Sequence, residues 1–146
     1  MPLRFLQLAA LALGLAACTP AKTDGIDPQG KPFDKVAPGE VVTLTGTEPF
    51  WNLTITGGEG VWSTPEQPDG TRLAVTRFNG NGGLGFTGTL GDKPLTATLT
   101  PGQCGDGMSD RRYPYVATIA LGGETLQGCG YTKGQPFTGE EGSEKP

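Results

Sequence analysis

The stretch LTATLT, Leu95 to Thr100, alternates an apolar side chain with a threonine at every step, and WNLTIT, Trp51 to Thr56, sets Trp51, Leu53 and Ile55 against Asn52, Thr54 and Thr56. Successive side chains of an extended chain point to opposite faces, so this period of 2 describes a strand with one face on a core and the other in water. The pattern recurs elsewhere: Leu84, Phe86 and Leu90 share a face with Gly88, and Tyr115, Ala117, Ile119 and Leu121 share another. Between the alternating runs stand Gly57-Gly58, Asp69-Gly70, Asn79 to Gly83, Gly91-Asp92 and Gly122-Gly123, which are hairpin-turn residues. Strands are therefore expected near 41–46, 50–56, 60–64, 71–78, 84–90, 94–100, 114–121 and 124–131. No comparable stretch carries the 3.6-residue period of an amphipathic helix. The expected fold is all-β, a small antiparallel up-and-down meander of about eight short strands that closes into a barrel and so removes its edges. A flattened β-sandwich is the alternative. These strands, of roughly 5 to 8 residues, fall short of the 9 to 11 that a transmembrane strand needs, and their outward threonines and asparagines are not a lipid-facing band.

The whole chain has 146 residues, with 25 Gly, 13 Pro, three Cys and no His, and a formal net charge of −4. That length suits one small domain. Without imidazole there is no Ser-His-Asp or Cys-His nucleophile pair, no His-ligated metal and no pH switch near neutrality. The acidic balance argues against nucleic acid as a partner.

The first 17 residues carry a single charge, Arg4, ahead of the apolar run Phe5 to Ala17. The run is too short to span a bilayer and ends in small residues, as a secretory signal does. Leu15-Ala16-Ala17-Cys18 resembles the lipobox of bacterial lipoproteins. That resemblance implies a signal peptide over 1–17, diacylation of the Cys18 thiol, cleavage before Cys18 and acylation of its new amino group, and hence a membrane anchor. Thr19 stands where an Asp would imply retention in the inner membrane, so the resemblance implies an outer-membrane anchor facing the periplasm. An ordinary signal peptide ahead of a cysteine is the alternative. In an exported chain disulfides persist, and Cys104 with Cys129 is then the one available pairing, against two independent thiols. Residues 18–39, rich in Pro, Gly, Asp, Lys and Thr, read as lipidated Cys18 plus a disordered tether, 40–134 as the folded domain and 135–146, with Glu140, Glu141 and Glu144, as a disordered acidic tail.

Three segments stand out from the threonine-rich background: GTEPFW (Gly46 to Trp51), the run from Cys104 through DGMSDRRYPY (Asp106 to Tyr115), and GGETLQGC (Gly122 to Cys129). Together they resemble a family of uncharacterised bacterial envelope lipoproteins and membrane proteins. The resemblance covers about Gly46 to Tyr131. It implies the same compartment and disulfide and adds no reaction.

In GTEPFW, Pro49 fixes φ and holds Glu48 extended, and adjacent Phe50 and Trp51 must face opposite ways, one into the core and one to the rim. The segment is then either a barrel plug or, with Glu48 and an exposed ring, part of a binding mouth. The second segment places Asp106, Ser109, Asp110, Arg111 and Arg112 on a loop too polar for a core, with Gly105 and Gly107 allowing sharp turns and Met108 expected to fold inward. One reading is internal satisfaction, with Asp106 or Asp110 accepting backbone N–H bonds and an Arg paired to a carboxylate. The other brings the two motifs together at one barrel end as a polar pocket of Glu48, Asp106, Ser109, Asp110, Arg111 and Arg112, walled by Trp51 and Tyr115. The Asp106 and Asp110 spacing lacks the ligand pattern of a calcium loop, no metal or cofactor is expected, and Ser109 has no base beside it.

The expected activity is a non-enzymatic binding module presenting the disulfide-tied loop to a small ligand or an envelope protein. The alternatives are a structural or assembly accessory of an envelope complex, a barrel resembling in general shape the lipoproteins that inhibit lysozyme, and a hydrolase using Glu48, Asp106 or Asp110.

Overall fold

The computed structural model describes residues 30–139. The expected signal peptide, the lipidated Cys18, the tether through residue 29 and the tail from residue 140 lie outside the described residues. Eight strands follow in order: β1 Val42–Thr47, β2 Phe50–Thr56, β3 Glu59–Thr64, β4 Gln67–Asn79, β5 Leu84–Leu90, β6 Lys93–Cys104, β7 Tyr113–Leu121 and β8 Glu124–Thr132. Each pairs antiparallel with the next, and β8 returns to β1, so the sheet is a closed barrel and not a sandwich.

The alternation in the sequence sorts the two faces. Leu44, Leu53, Ile55, Phe86, Leu99 and Ile119 are fully buried in one core cluster that fills the lumen, as eight strands leave room for side chains and little else. Thr56, Thr76, Thr87, Thr96 and Thr100 are exposed on the outer wall. An apolar interior with a polar exterior is the reverse of a transmembrane barrel. Strand length, however, does not make that argument: β4 has 13 residues and β6 has 12. Asp69-Gly70 and Pro101-Gly102, turn residues by composition, lie inside these strands, where the register shifts between Trp62 and Thr64 and between Pro101 and Cys104. Each irregularity absorbs residues that a regular ladder would not hold.

Consecutive connections of a meander alternate between the two barrel ends. Residues 48–49, 65–66, 91–92 and 122–123 turn at one end, and 57–58, 80–83 and 105–112 leave from the other, where the chain also enters β1 and exits β8. Trp51 points inward and stacks on Trp62, with ring centroids 5.5 Å apart and planes within 7°. It fits because two glycines stand against it: a Cβ at Gly46 would fall 2.2 Å from the indole Nε1, and one at Gly128 would fall 2.8 Å from its Cζ2.

Residues 30–39 are not a disordered tether. Phe33 and Val36 are buried in the core cluster, and Phe33 stands edge-on to Tyr115 at 6.4 Å. The backbone N–H of Phe33 donates to the Gly80 carbonyl (2.8 Å), Asn79 Nδ2 donates to the Phe33 carbonyl (2.6 Å), and Arg77 donates to the Val36 and Ala37 carbonyls (2.6 and 2.9 Å). Glu40 accepts from the backbone N–H groups of Ala37 and Gly134 (3.1 and 2.8 Å), and Gln135 Nε2 donates to the Lys35 carbonyl. The segment caps one mouth of the barrel. Residues 135–139 likewise belong to the fold: Phe137 packs on Tyr113 and Tyr131, and Thr138 exchanges two backbone hydrogen bonds with Arg112. Both stretches escaped the sequence reading because each sets one or two apolar residues among charged and polar ones.

A Phe33→Ala variant therefore loses about 3 kcal/mol of unfolding free energy. Urea denaturation of the variant beside the wild type measures this; an unchanged midpoint would mean that the cap is an ornament of the barrel.

Candidate functional site

The disulfide-tied loop lies on the outer wall. Cys129 is in register with Thr45 on β1 and Val116 on β7, while their neighbours Leu44, Tyr115 and Ala117 fill the lumen, so Cys129 faces outward. Its bridge to Cys104 draws residues 104–108 across that wall as a strap, which also buries Cys129. Cys104 Sγ lies 3.4 Å from the Gly128 carbonyl oxygen, and Thr47 Oγ1 donates to the Asp106 carbonyl at 3.1 Å. The loop thus leaves one end of the barrel and reaches β1 just before the turn at the other end.

Two devices hold the strap in shape. The Asp106 carboxylate accepts from the backbone N–H groups of Met108 and Ser109 (3.0 and 2.8 Å), from Ser109 Oγ (2.7 Å) and from the Tyr113 hydroxyl (3.4 Å). Partial burial on its own would raise this carboxyl's pKa, but the four donors outweigh it, led by the Ser109 hydroxyl, and lower the pKa from 3.8 to about 2. Ser109 Oγ in turn accepts from the backbone N–H of Arg111 (3.2 Å). At the loop's far side the Arg111 guanidinium lies over the Phe137 ring, 4.7 Å from its centroid.

Between strap and wall is a cleft of about 520 Å³ lined by Thr45, Gly46, Thr47, Glu48, Val116 and Gln127 on the wall side and by Cys104 to Met108 on the other. A smaller hollow of about 220 Å³ adjoins it across β1, bordered by Phe50, Asn52 and Ser63. A third, of about 500 Å³, lies on the opposite side of the strap beside Gln103, Ser109 and Arg112.

The sequence-predicted residues distribute unevenly over this geometry. Glu48 and Asp106 do meet at one cleft, with Glu48 exposed and joined to Pro49 by a cis peptide bond. Ser109 shapes the strap, and Arg112 borders the third hollow while donating to the Arg111 carbonyl. Arg111 lies against Phe137, and Asp110 is exposed at the loop's end, its carbonyl beside Gly139. The aromatic wall is a correction: Trp51 is 3% exposed and Tyr115 1%, both inside the barrel, because each shares its strand's inward parity with Leu53 or Ala117. Phe50 takes the rim, as adjacency to Trp51 requires. Met108 is a second correction; it is 68% exposed, since Asp106 folds the strap around its own carboxylate and turns the thioether to solvent. Thr45, Thr47, Val116 and Gln127 were missed. For Val116 the signal was present, an apolar side chain at an outward position of β7.

No protein-family model matches the chain, and no solved structure matches it. Among the described residues no three His, Cys, Asp or Glu side chains come together as a metal site.

Two outcomes follow from the strap. The folded-state pKa of Asp106 lies below its ordinary value, so its stabilisation is complete above 3.8 and is lost as the pH falls toward about 2. Stability curves of the wild type and Asp106→Asn, separated at neutral pH, should converge as acid is added; parallel curves would assign the acid limb to other groups. The Cys104→Ser, Cys129→Ser double variant should lose about 3 kcal/mol. Hydrogen exchange should show faster exchange at 105–108 while the amides of β2 to β5 stay protected.

Proposed function

We propose that this chain is a non-enzymatic binding module of the bacterial envelope, anchored through Cys18 to the outer membrane and presenting the strapped cleft to a protein partner. The observation that carries the reading is where apolar surface is left exposed. Among the described residues the large exposed apolar side chains are Phe50, Phe78, Met108 and Val116. Phe78 has a local reason: its ring covers Gly85, its partner across the ladder. The other three, at 51%, 68% and 38% exposure, all border the cleft or the hollow that adjoins it across β1. Apolar side chains gathered beside a rim charge, here Glu48, are the makings of a protein interface.

The lumen is filled by the core, which argues against a ligand held inside the barrel. Hydrolysis is disfavoured by the state of the groups it would need. The Asp106 carboxylate is held ionised by its four donors and is no general acid near neutrality, and the Ser109 hydroxyl is committed to Asp106. The compartment reading rests on the resemblance at Leu15 to Cys18, and the bridged cysteines fit an oxidising environment.

Photo-crosslinking in intact membranes tests the proposal. A benzophenone side chain placed at Met108 or Val116 of the full chain should yield one discrete protein adduct, lost on Glu48→Lys, while the same group at Thr87 on β5 should yield none. Absence of adducts from the cleft, or the same adducts from Thr87, would remove the basis for the binding reading.

A further inference from the structure

The bridge between Cys104 and Cys129 stands outside the machinery that closes the barrel. Backbone groups alone ladder β8 to β7 on one side and to β1 on the other, and the core side chains lie on the inner face while the sulfurs lie on the outer wall. What the bridge holds is the strap. Besides it, Thr47 Oγ1 ties the strap to the wall, donating to the Asp106 carbonyl at 3.1 Å. A half-buried hydrogen bond contributes less than a covalent closure, so the bridge decides where residues 104–108 lie.

The two sulfurs are not equally reachable. Cys129 is 2% exposed and borders the cleft alone, whereas Cys104 is half-buried and borders both the cleft and the third hollow on the far side of the strap. The two approaches to Cys104 differ in sign. The charged side chains lining the cleft are Glu48 and Asp106, the latter held ionised by its four donors. The charged side chain lining the third hollow is Arg112, which is exposed and stands beside Gly105, where a Cβ would fall 3.4 Å from its Nη1. Gly105 and Gly107 put no side chains of their own over the approach. A thiolate is an anion, so the cleft repels it and the hollow draws it in.

We propose that Cys104 is a thiol–disulfide exchange site, entered through the Arg112 hollow by the dithiol of an oxidoreductase, and that the strap is the latch this exchange opens. The partner's first thiol, its proton lost to water, attacks Cys104 Sγ and forms a mixed disulfide. The Cys104–Cys129 bond breaks, and its electron pair leaves on Cys129 Sγ, which takes up a proton. The partner's second thiol, deprotonated in turn, attacks the partner's own sulfur in the mixed disulfide, and Cys104 leaves as a thiolate that is then protonated. The bridge is reduced to two thiols, the dithiol is oxidised to a disulfide, and the reverse sequence closes the latch. Residues 104–108 form one side of the cleft, so opening the latch dismantles the cleft while the ring of strands stays closed. The inference goes beyond the binding reading and stands on the bridge whether or not the cleft holds a partner.

The test uses the full chain and a thioredoxin-type oxidoreductase whose second active-site cysteine is replaced by serine, so that the mixed disulfide accumulates. Peptide mass mapping should place the adduct on Cys104. Arg112→Glu should slow adduct formation at least about threefold, with the neutral Arg112→Gln falling between it and the wild type. The same reversal at Arg72 on β4, which leaves the net charge equal to that of Arg112→Glu, should not slow it. With the intact dithiol enzyme, the reduced chain should exchange faster at the amides of 105–108 while β2 to β5 stay protected, and reoxidation should restore the original pattern. Absence of an adduct, an adduct on Cys129, a rate indifferent to both Arg112 variants, or a reduced chain that loses protection throughout the barrel each overturns the proposal.

Discussion

The Trp51 indole lies in the lumen stacked on Trp62, and the barrel can close around it only if the wall against it gives up its side chains. Gly46 and Gly128 do so. With those two positions bare, β1 and β8 still approach, but their ladder ends at Thr45 and Cys129. The same two bare positions line the cleft under the strap. An alanine-sized side chain at either glycine meets indole atoms or, at Gly128, the Thr45 carbonyl, so the arrangement has no slack.

The strap answers the exposed flank that this closure leaves. A bridge from the outer face of β8 carries residues 104–108 over the wall, and the Asp106 carboxylate supplies the internal hydrogen bonds that a loop without secondary structure lacks. Phe137 and Thr138 brace its base from the other side. The loop is consequently a fixed wall of the cleft, and the apolar side chains it leaves in water, Met108 above all, are held in place by polar contacts beneath them.

Much of the barrel was legible because a half-buried strand writes its geometry at the shortest possible period. WNLTIT and LTATLT declare their faces without reference to any partner, and Gly57-Gly58 and Gly122-Gly123 mark turns, whereas Asp69-Gly70 lies inside β4. What stayed hidden depends on contacts between distant residues. Nothing near Phe33 or Val36 shows that Arg77, Asn79 and Gln135 wait for that backbone, and DGMSDRRYPY does not reveal which wall its loop will lie on. The site was legible by halves for the same reason. Its residue types drew notice, and of the two carboxylates that one reading offered as acceptors of backbone N–H bonds, Asp106 or Asp110, Asp106 accepts two. Yet Trp51 and Tyr115 were placed on a pocket wall, although the parity that identified their strands puts them in the core.

The cap has a consequence for the order in which the chain can assemble. Residues 30–39 emerge early from any machinery that delivers the chain N-terminus first, yet their partners are Arg77, Asn79, Gly80, Tyr115 and Gln135. Until the last strand arrives, Phe33 and Val36 have no mouth to fill and β1 has no β8 to close against. A chain cut short before residue 130 would therefore display both apolar side chains and a bare edge of β1 together, a signature of incompleteness that a housekeeping protease could read from the N-terminal end.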